Sequence, residues 1–340
     1  MTRNKFSRHV YQYRSAILSL LICMLMSGLT IVQSQIHENA GTRAMTFLKI
    51  GIGAEGISMG EAQVAHSNDL YATFWNPAGL ANVKQQQFGF MHNEWLGDIN
   101  HEYIGFAQPV SGLGTIAGSL VYLNYGELIG RDASGNETKP FHPYDIALIL
   151  SMARQFGNLS VGTNLKWVRE KILNGSEAEQ LEETLGGGDI RPVDASTPAL
   201  DIGGLYTFQT QSGEPSPFSV GVNLQHLGRV QFIEESFLLP VNLKMGMAYR
   251  MLEDSAVITA DLNRPSDNKT SIGIGLAFTV LKFFHLRSGY KYALGGNDLG
   301  ALSGITFGLG ASMGNFQIDY ALISMGQFGP THRLSLLAKF

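Results

Sequence analysis

A glycine-rich string early in the chain has the spacing of a dinucleotide-binding fingerprint. Gly51, Gly53 and Gly56 match the pattern Gly-x-Gly-x-x-Gly, and Asp69 lies downstream of it. The pattern binds a pyrophosphate only where it forms the turn between a strand and a helix of a βαβ unit. The surrounding sequence shows no such unit. We therefore interpret these glycines as positions of close backbone packing, and we assign no cofactor to the chain.

A second group of side chains could supply ligands to a metal ion. His92, Glu94, Asp98, His101 and Glu102 cluster around a predicted hairpin, and imidazole nitrogens with carboxylate oxygens suit several divalent cations. Alternation places His92 and Glu94 on one face of their strand. We favour structural hydrogen bonding or lining of an interior surface over metal binding, so we predict no metal site.

An acidic stretch at residues 171–197 is the third candidate. Its carboxylates belong to Glu177, Glu179, Glu182, Glu183, Asp189 and Asp194. Ser176 and Glu179 fit a capping box, and glycines at 186–188 would end a helix, so we predict a short outward helix. A solvated acidic loop is the default interpretation, and a site for a divalent cation or a partner protein is the alternative.

The only cysteine, Cys23, lies in a stretch typical of an export signal. Four basic residues precede an apolar run at 16–32, and Ser34 stands at a small-residue cleavage position. We predict a signal peptide at 1–34, with an uncleaved anchor helix as the alternative. The mature chain would then contain no thiol, which excludes cysteine nucleophiles and thiolate metal sites. Composition does not exclude a catalytic triad, but no Gly-x-Ser-x-Gly elbow or other nucleophile signature occurs, so we assign no catalytic residues.

The composition excludes several classes of protein. Glycine accounts for 40 of 340 residues and charged residues for 15%, against about 7% and about 25% in average proteins. This balance argues against disorder, collagen, a coiled coil and a polytopic helical membrane protein. Without residues 1–34 the formal charge falls from −4 to −8, because 20 basic side chains remain against 28 acidic ones. We exclude nucleic acid as a partner, since no basic stripe could neutralise phosphates.

From residue 85 onward, apolar side chains alternate with polar or small ones. In 241–251 the odd positions are Val, Leu, Met, Met, Tyr and Met, and the even positions are Asn, Lys, Gly, Ala and Arg. A period of two predicts β-strands. We count about fourteen such segments, near 85–94, 99–109, 114–125, 143–156, 158–170, 198–209, 217–226, 239–251, 255–263, 269–280, 283–293, 301–312, 315–324 and 331–340.

The links between these segments are alternately short and long. Short turns lie at 111–114, 157–158, 253–254, 281–282 and 314–315, and longer links at 126–142, 171–197, 227–238, 264–268, 294–300 and 325–330. The tight link at 96–98 and the longer one at 209–217 are exceptions. Short turns on one side and long loops on the other are typical of outer-membrane barrels.

The composition of the two strand faces favours a membrane protein over a soluble sandwich. A sandwich needs charge on its outward faces, yet here the polar faces are mostly Gly, Ser, Thr, Asn and Ala. We predict that these faces line a water-filled lumen and that the apolar faces contact outer-membrane lipid. The fold class is therefore an all-β transmembrane outer-membrane β-barrel of about 14 antiparallel strands, spanning residues 85–340.

Several charged side chains fall on the predicted inner faces. They are Lys244, Arg250, Arg287, Lys291, Arg333, Asp201, Asp261 and Asp319. A buried ion without a partner is costly. We therefore expect these lumen charges to pair with one another and with residues 35–84, an N-terminal plug or hatch segment of short helices and turns.

The chain ends on an aromatic residue on the apolar face of its last strand. Phe340 follows Leu334, Leu336 and Ala338 at a period of two. A terminal phenylalanine of this kind resembles the signal by which Gram-negative outer-membrane proteins are recognised for barrel insertion. The resemblance implies that the barrel-assembly machinery is a partner and that the protein resides in the cell outer membrane.

Residues 35–84 contain the most specific local motifs. These are the stretch Phe-Leu-Lys-Ile-Gly-Ile-Gly-Ala at 47–54 and the turn formed by Asn76, Pro77, Ala78 and Gly79, followed by Leu80. With His-Asn-Glu-Trp at 92–95 and Asp-Ile at 98–99, they resemble the PorV/PorQ family, within the FadL-like group of fourteen-stranded barrels. The first hundred residues carry most of this resemblance, and the remainder matches only in architecture.

The resemblance implies a role in type IX protein secretion or cell-surface attachment. PorV-like barrels receive exported cargo, and PorQ-like barrels belong to an attachment complex. We therefore expect a non-enzymatic barrel that docks secretion or attachment proteins, or secreted cargo, through loops 126–142, 171–197 and 227–238. The alternatives are a FadL-like channel for uptake of hydrophobic small molecules, with the segment around Asn76 as its hatch, and a passive structural barrel.

Overall fold

The computed structural model describes residues 37–131, 134–184, 191–210, 215–232, 235–296, 300 and 302–340. The signal peptide predicted at 1–34 lies outside these ranges. Across the described residues, no helix combines the length and the apolar character needed to cross a bilayer.

Strands dominate the described part of the chain. In chain order they are β1 (Gln87–Glu94), β2 (Asn100–Val110), β3 (Gly114–Asn124), β4 (Leu128–Arg131), β5 (Glu137–Phe141), β6 (Tyr144–Phe156), β7 (Leu159–Leu173), β8 (Val193–Gln209), β9 (Pro215–Leu227), β10 (Arg229–Phe232), β11 (Glu235–Leu238), β12 (Asn242–Met251), β13 (Ala256–Pro265), β14 (Ser271–Val280), β15 (Phe284–Ala293), β16 (Ile305–Met313), β17 (Phe316–Ser324) and β18 (Pro330–Lys339).

Fourteen of these strands close into one antiparallel barrel. Its order is β1-β18-β17-β16-β15-β14-β13-β12-β9-β8-β7-β6-β3-β2. Each barrel strand therefore pairs with the barrel strands before and after it in the chain, and β18 pairs with β1 to close the ring. Closure leaves no strand edge unpaired, which is what a sheet in lipid requires. The predicted count of about fourteen strands is confirmed.

The side chains of each strand alternate between the two faces of the wall. On β12, Asn242, Lys244 and Ala248 are buried, whereas Met245 and Tyr249 are exposed. The pairing of β12 with β9 and β13 continues the same alternation around the ring. The outer surface is consequently apolar on strand after strand, as in barrels that face lipid.

An N-terminal segment, residues 37–86, precedes the first strand and runs through the barrel interior. It contains a 3-10 helix (Thr46–Lys49), α1 (Ala54–Ser58), α2 (Ala72–Trp75) and a second 3-10 helix (Pro77–Asn82). Lys49 forms an ion pair of 2.6 Å with Asp267, which lies in the long link between β13 and β14. At the short-turn end, the Leu70 N–H donates to Gln87 Oε1 over 2.8 Å.

The inner faces of the strands pack against this segment, so the prediction of a water-filled lumen is wrong for them. A Cβ atom at Gly273 would overlap the Gly60 carbonyl oxygen, and one at Gly308 would overlap the Ser58 side chain. Because glycine has no Cβ atom, the strand backbone can lie in direct contact with the segment at these positions. Inward glycines that contact the segment in this way are Gly162, Gly203, Gly221, Gly273, Gly275, Gly289 and Gly308.

The apolar core lies inside the barrel, around α2. The Phe74 and Trp75 rings meet edge to face with centroids 4.9 Å apart. The Trp75 indole N–H donates to the Ile52 carbonyl over 2.8 Å, which satisfies the polar atom of a buried ring. Trp75, Tyr103 and Ile57 are among the largest fully buried side chains.

Four of the long links contain secondary structure of their own, and one of them is a third 3-10 helix (Gly326–Phe328) between β17 and β18. β4 pairs with β5, and β10 with β11, as two-stranded hairpins outside the barrel, and α3 (Gly175–Thr184) follows β7. The predicted outward helix is present, but its cap lies two residues earlier than expected. Asn174 Oδ1 accepts the Glu177 N–H over 2.8 Å, and Glu177 Oε2 accepts the Asn174 N–H over 2.7 Å.

Candidate functional site

The turn at residues 76–79 joins the N-terminal segment to the barrel wall. Asn76 is fully buried, and its Nδ2 donates to the Val64 carbonyl over 2.8 Å and to the Gly204 carbonyl over 3.1 Å. Its Oδ1 accepts the Ala78 N–H over 3.1 Å, which caps the second 3-10 helix, and Pro77 occupies the first position of that helix. A single side chain thus holds both the segment and strand β8.

Gly79, the last residue of the motif, fits the turn because it has no side chain. A Cβ atom at Gly79 would overlap the Ser67 carbonyl oxygen. On the wall, Gly162 and Gly203 admit the Pro77 backbone and ring at comparably close range. The predicted plug motif is therefore closely packed on two sides. Gly79 lies against the Ser67 backbone within the segment, and Pro77 lies against two glycines of the barrel wall.

Substituting Asn76 by leucine should destabilise the folded barrel. The change keeps the side-chain volume but removes the hydrogen bonds that Asn76 makes with two carbonyls and one N–H, at an expected total cost of about 3 kcal/mol. Urea unfolding of the purified protein in detergent measures the loss. The exposed Asn68→Ala is the matched control, and equal stability of the two variants would show that the Asn76 bonds do not hold the segment.

A charge cluster links the N-terminal segment to strands β15 and β17. Arg287 contacts Asp319 over 2.6 Å and Glu55 of α1 over 2.7 Å. Four residues further along β15, toward the long-loop end, Lys291 contacts Glu61 over 2.7 Å. Two of the predicted lumen cations therefore have carboxylate partners in the segment.

The remaining predicted acids have other partners. Asp261 accepts the Val64 N–H over 2.8 Å. Asp201 pairs with Lys166 over 2.6 Å. Lys166 is buried, and the sequence analysis did not single it out. Its even position on β7 places it on the inner face, which was the available signal. Arg250 is half-buried at the short-turn end of β12.

Three of the predicted lumen cations, Lys244, Arg250 and Arg333, have no carboxylate within 4.0 Å among the residues described. The Lys244 ammonium lies 4.7 Å from the Trp75 ring centroid and 5.4 Å from that of Phe74. The Arg333 guanidinium stacks 5.2 Å from the Trp95 centroid, and its Nη1 donates to the Gly51 carbonyl over 2.9 Å. Aromatic faces partly stabilise the charges of Lys244 and Arg333.

The pKa values of the two segment glutamates are lowered. Burial alone would raise the pKa of Glu55, but the Arg287 charge and a hydrogen bond with His66 outweigh burial and hold it well below its ordinary value. Burial is likewise outweighed at Glu61, whose pKa the Lys291 ammonium lowers. Both side chains are therefore carboxylates in the folded protein at neutral pH.

Acid should destabilise the wild-type protein more than Glu55→Gln. A carboxyl with a lowered folded-state pKa stabilises the fold above its unfolded pKa of about 4.3, and it loses this contribution as the pH falls. We expect the thermal midpoint to drop more for the wild type than for Glu55→Gln between about pH 6 and about pH 3. The exposed Glu94→Gln should follow the wild type, and parallel curves for Glu55→Gln and the wild type would contradict the ion pair's role.

The other sequence candidates occupy structural positions. His92 Nδ1 contacts Glu102 Oε1 over 2.6 Å on the outer face of the wall, while His101 is buried on the inner face beside Asn93. Within the described ranges, no three side chains of His, Cys, Asp or Glu converge as metal ligands. Gly51 and Gly56 contact Trp75 at close range, as expected for backbone packing.

The last residue lies at the short-turn end of the barrel. The Phe340 N–H donates to the Gln86 carbonyl over 2.9 Å, and its side chain is 60% exposed. Phe340 is therefore accessible beside the seam between β1 and β18. Its role in barrel insertion stays a prediction.

A family model described as "Type IX secretion system protein PorV" matches residues 33–264. The chain belongs to this PorV family. The match covers the whole N-terminal segment described above, with its Asn76 turn, and extends from β1 to β13. It confirms the resemblance that the motifs of the first hundred residues carry.

Solved structures with a similar fold include a hydrocarbon channel, a toluene transporter and a FadL homologue. A deltaS2 mutant of the TodX monoaromatic hydrocarbon channel has a TM-score of 0.58 at 14% identity, over 85% of this chain and 99% of that one. The toluene transporter TbuX of Ralstonia pickettii has a TM-score of 0.56 at 15% identity, over 85% and 98%. A FadL homologue of Pseudomonas aeruginosa has a TM-score of 0.50 at 12% identity, over 92% and 100%.

At these identities the likeness shows the fold. A search of curated proteins finds no match. Together with the apolar outer wall, the family and the fold establish the PorV-family chain as an outer-membrane β-barrel of FadL-like architecture.

Proposed function

We propose that this barrel is a non-enzymatic docking component of type IX protein secretion or cell-surface attachment. It binds secretion proteins or secreted cargo at the end of the barrel that carries the long links. The observation that carries the proposal is the PorV family match over residues 33–264. Membership in a secretion-system family favours protein partners over small-molecule substrates.

The form of the long links supports partner binding at that end. The β4/β5 and β10/β11 hairpins and α3 present structured surfaces there. The exposed fraction is 50% for Ile129, 40% for Leu238 and 65% for Phe328. These apolar side chains are available for contact with a partner protein.

Replacing the β4/β5 hairpin tests this function. In a bacterium that depends on this chain for secretion, residues 128–141 are replaced by a Gly-Ser linker, and surface-released cargo is measured. We expect at least a roughly tenfold loss of release, because a contact of about 1.4 kcal/mol suffices for that factor. A matched control replaces the short turn at 253–254 and should retain release.

Folding of each variant is checked by its heat-modifiable migration on gels. Unchanged release after replacement of the β4/β5 hairpin, the β10/β11 hairpin and α3 together would contradict the proposal. Partner identity is then read from cross-linked complexes in the wild type.

The second candidate is a channel that takes up hydrophobic small molecules. The fold of TodX and TbuX, named as a hydrocarbon channel and a toluene transporter, favours it. The path of the N-terminal segment along the inner wall, with its charges and backbone contacts, disfavours it. Uptake of labelled toluene into liposomes that contain the wild type, altered by deletion of residues 35–84, would reverse the order of the two candidates.

A further inference from the structure

A cleft opens at the long-loop end of the barrel, above the first 3-10 helix. It comprises a cavity of about 710 Å³ and an adjoining one of about 170 Å³. Residues shared by the two cavities include Lys49, Glu61, Lys269 and Lys291. We call this space the mouth cleft. The proposed function above, which concerns the outer loops, does not use it.

The mouth cleft is positively charged in a chain that is negatively charged overall. Its cations are Lys49, Lys244, Lys269, Lys291 and Arg333, and its carboxylates are Glu61 and Asp267. The whole chain has a formal charge of −4. Charges of one sign around a low-dielectric cleft concentrate the potential and attract ligands of the opposite sign.

Two of these cations are buried and have no carboxylate within 4.0 Å in the part of the chain that the structure describes. Lys244 and Arg333 are 4% and 1% exposed, and each lines one of the cavities. Among the described residues, the Arg333 Nε–H has no acceptor. Burial of a charge without a counter-ion in contact is costly, and Glu61 acts on both cations only at longer range. A ligand that brings a further negative charge into the cleft would therefore stabilise them.

The smaller cavity also contains acceptors that lack a donor. Asn242 Nδ2 donates to Gln225 over 3.2 Å, and Asn263 Nδ2 donates to Ser271 over 3.4 Å. The Oδ1 atoms of both asparagines accept no hydrogen bond from any residue that the structure describes. A ligand that carries N–H groups beside its carboxylate would satisfy the oxygens and the cations together.

The wall of the larger cavity is apolar beneath Arg333. Ile99, Leu123, Ile323 and Met325 line it together with the Trp95 ring. An aliphatic side chain fits such a surface, whereas an inorganic anion would leave it in contact with water. Carboxylate, N–H groups and aliphatic side chains occur together in a polypeptide.

We propose that the mouth cleft binds a polypeptide segment that carries a carboxylate, with Lys244 in the smaller cavity and Arg333 in the larger one as the cations that attract it, and with the apolar wall receiving a neighbouring aliphatic side chain. The inference rests on the proposed function, since it identifies the chemistry of the partner. The bound segment bears either a C-terminal carboxylate or an acidic side chain.

Tryptophan emission provides a direct test. Trp75 and Trp95 lie against Lys244 and Arg333, whereas Trp167 lies on the outer wall. In the full chain carrying Trp167→Phe, the tryptophan emission therefore reports on the surroundings of these two cations. The probe is N-acetyl-Gly-Leu-Leu with a free carboxylate. We expect saturable binding that weakens about tenfold or more for the C-terminal amide, as for loss of a charge-assisted hydrogen bond.

Lys244→Met should weaken peptide binding by about tenfold as well. Lys84→Met is the matched control, because Lys84 is exposed at the opposite end of the barrel. If Lys244→Met does not fold, Lys291→Gln removes a cation that is 36% exposed and should weaken binding. Equal affinity for acid and amide, or no saturable binding, would overturn the inference.

A further arm separates a polypeptide from a small organic acid. 4-Methylpentanoate has the carboxylate and the aliphatic group but no N–H groups, so it should bind more weakly than the peptide, and equal affinity would overturn the assignment to a polypeptide. Failure of peptide binding while secretion still requires the β4/β5 hairpin would overturn this inference alone. Peptide binding with secretion indifferent to the hairpin would overturn the proposed function alone.

Discussion

The variant Gly289→Val should lose the packing of the N-terminal segment in the barrel interior. A Cβ atom at Gly289 would overlap the Gly60 nitrogen and the Met59 carbonyl carbon. Because both are backbone atoms, no rotamer change can relieve the overlap. Overpacking of a core costs about 1–3 kcal/mol when side chains can adjust, so we expect about 3 kcal/mol or more here.

Thermal unfolding in detergent and conductance in planar bilayers measure this effect. Displacement of the segment should lower the unfolding midpoint and raise the conductance above that of the wild type. Gly118→Val is the matched control, since Gly118 lies on the outer face and a Cβ there meets no atom within 4 Å. If Gly289→Val behaved like Gly118→Val in both measurements, the segment would not pack on β15 as described.

The second large effect is expected for Arg287→Met. The substitution leaves Asp319 and Glu55 facing each other without the cation that contacts both. Removing one partner of a buried ion pair costs about 3–5 kcal/mol, because the remaining charge stays buried and unpaired. Urea unfolding in detergent should show a loss of this size.

A triple variant separates the ion pair from the volume of the arginine side chain. Arg287→Met combined with Glu55→Gln and Asp319→Asn removes all three charges and should recover most of the stability. The exposed Arg154→Met is the control for loss of a cation, with an expected change within about 0.5 kcal/mol. A single variant no less stable than Arg154→Met would contradict a structural role for the charge cluster.

The barrel strands could be predicted from the sequence because each has one face in contact with lipid. A period of two in apolar residues is a local property, and every predicted segment coincides with a barrel strand. The β4/β5 and β10/β11 hairpins were missed. Their strands have only four or five residues, too few for a clear alternation.

The interior could be predicted only in part. Alternation correctly places Arg287 on the inner face, but its partner Glu55 lies 232 residues earlier in the chain, and no local pattern specifies such a contact. The prediction of a wet lumen failed because small side chains suit water and close backbone packing equally. The glycines at 273, 275, 289 and 308, on consecutive strands, were the available signal for packing.

Photo-cross-linking in intact cells tests the central claim, that partner proteins dock at the long-loop end. A photoreactive amino acid replaces Ile129, Leu238 or Phe328 at that end, or Leu252 or Leu281 at the short-turn end, all of them exposed. The account predicts covalent adducts with identified secretion proteins or cargo from the first three positions and not from the last two. Absence of such adducts at the long-loop positions, or the same adducts from both ends, would contradict it.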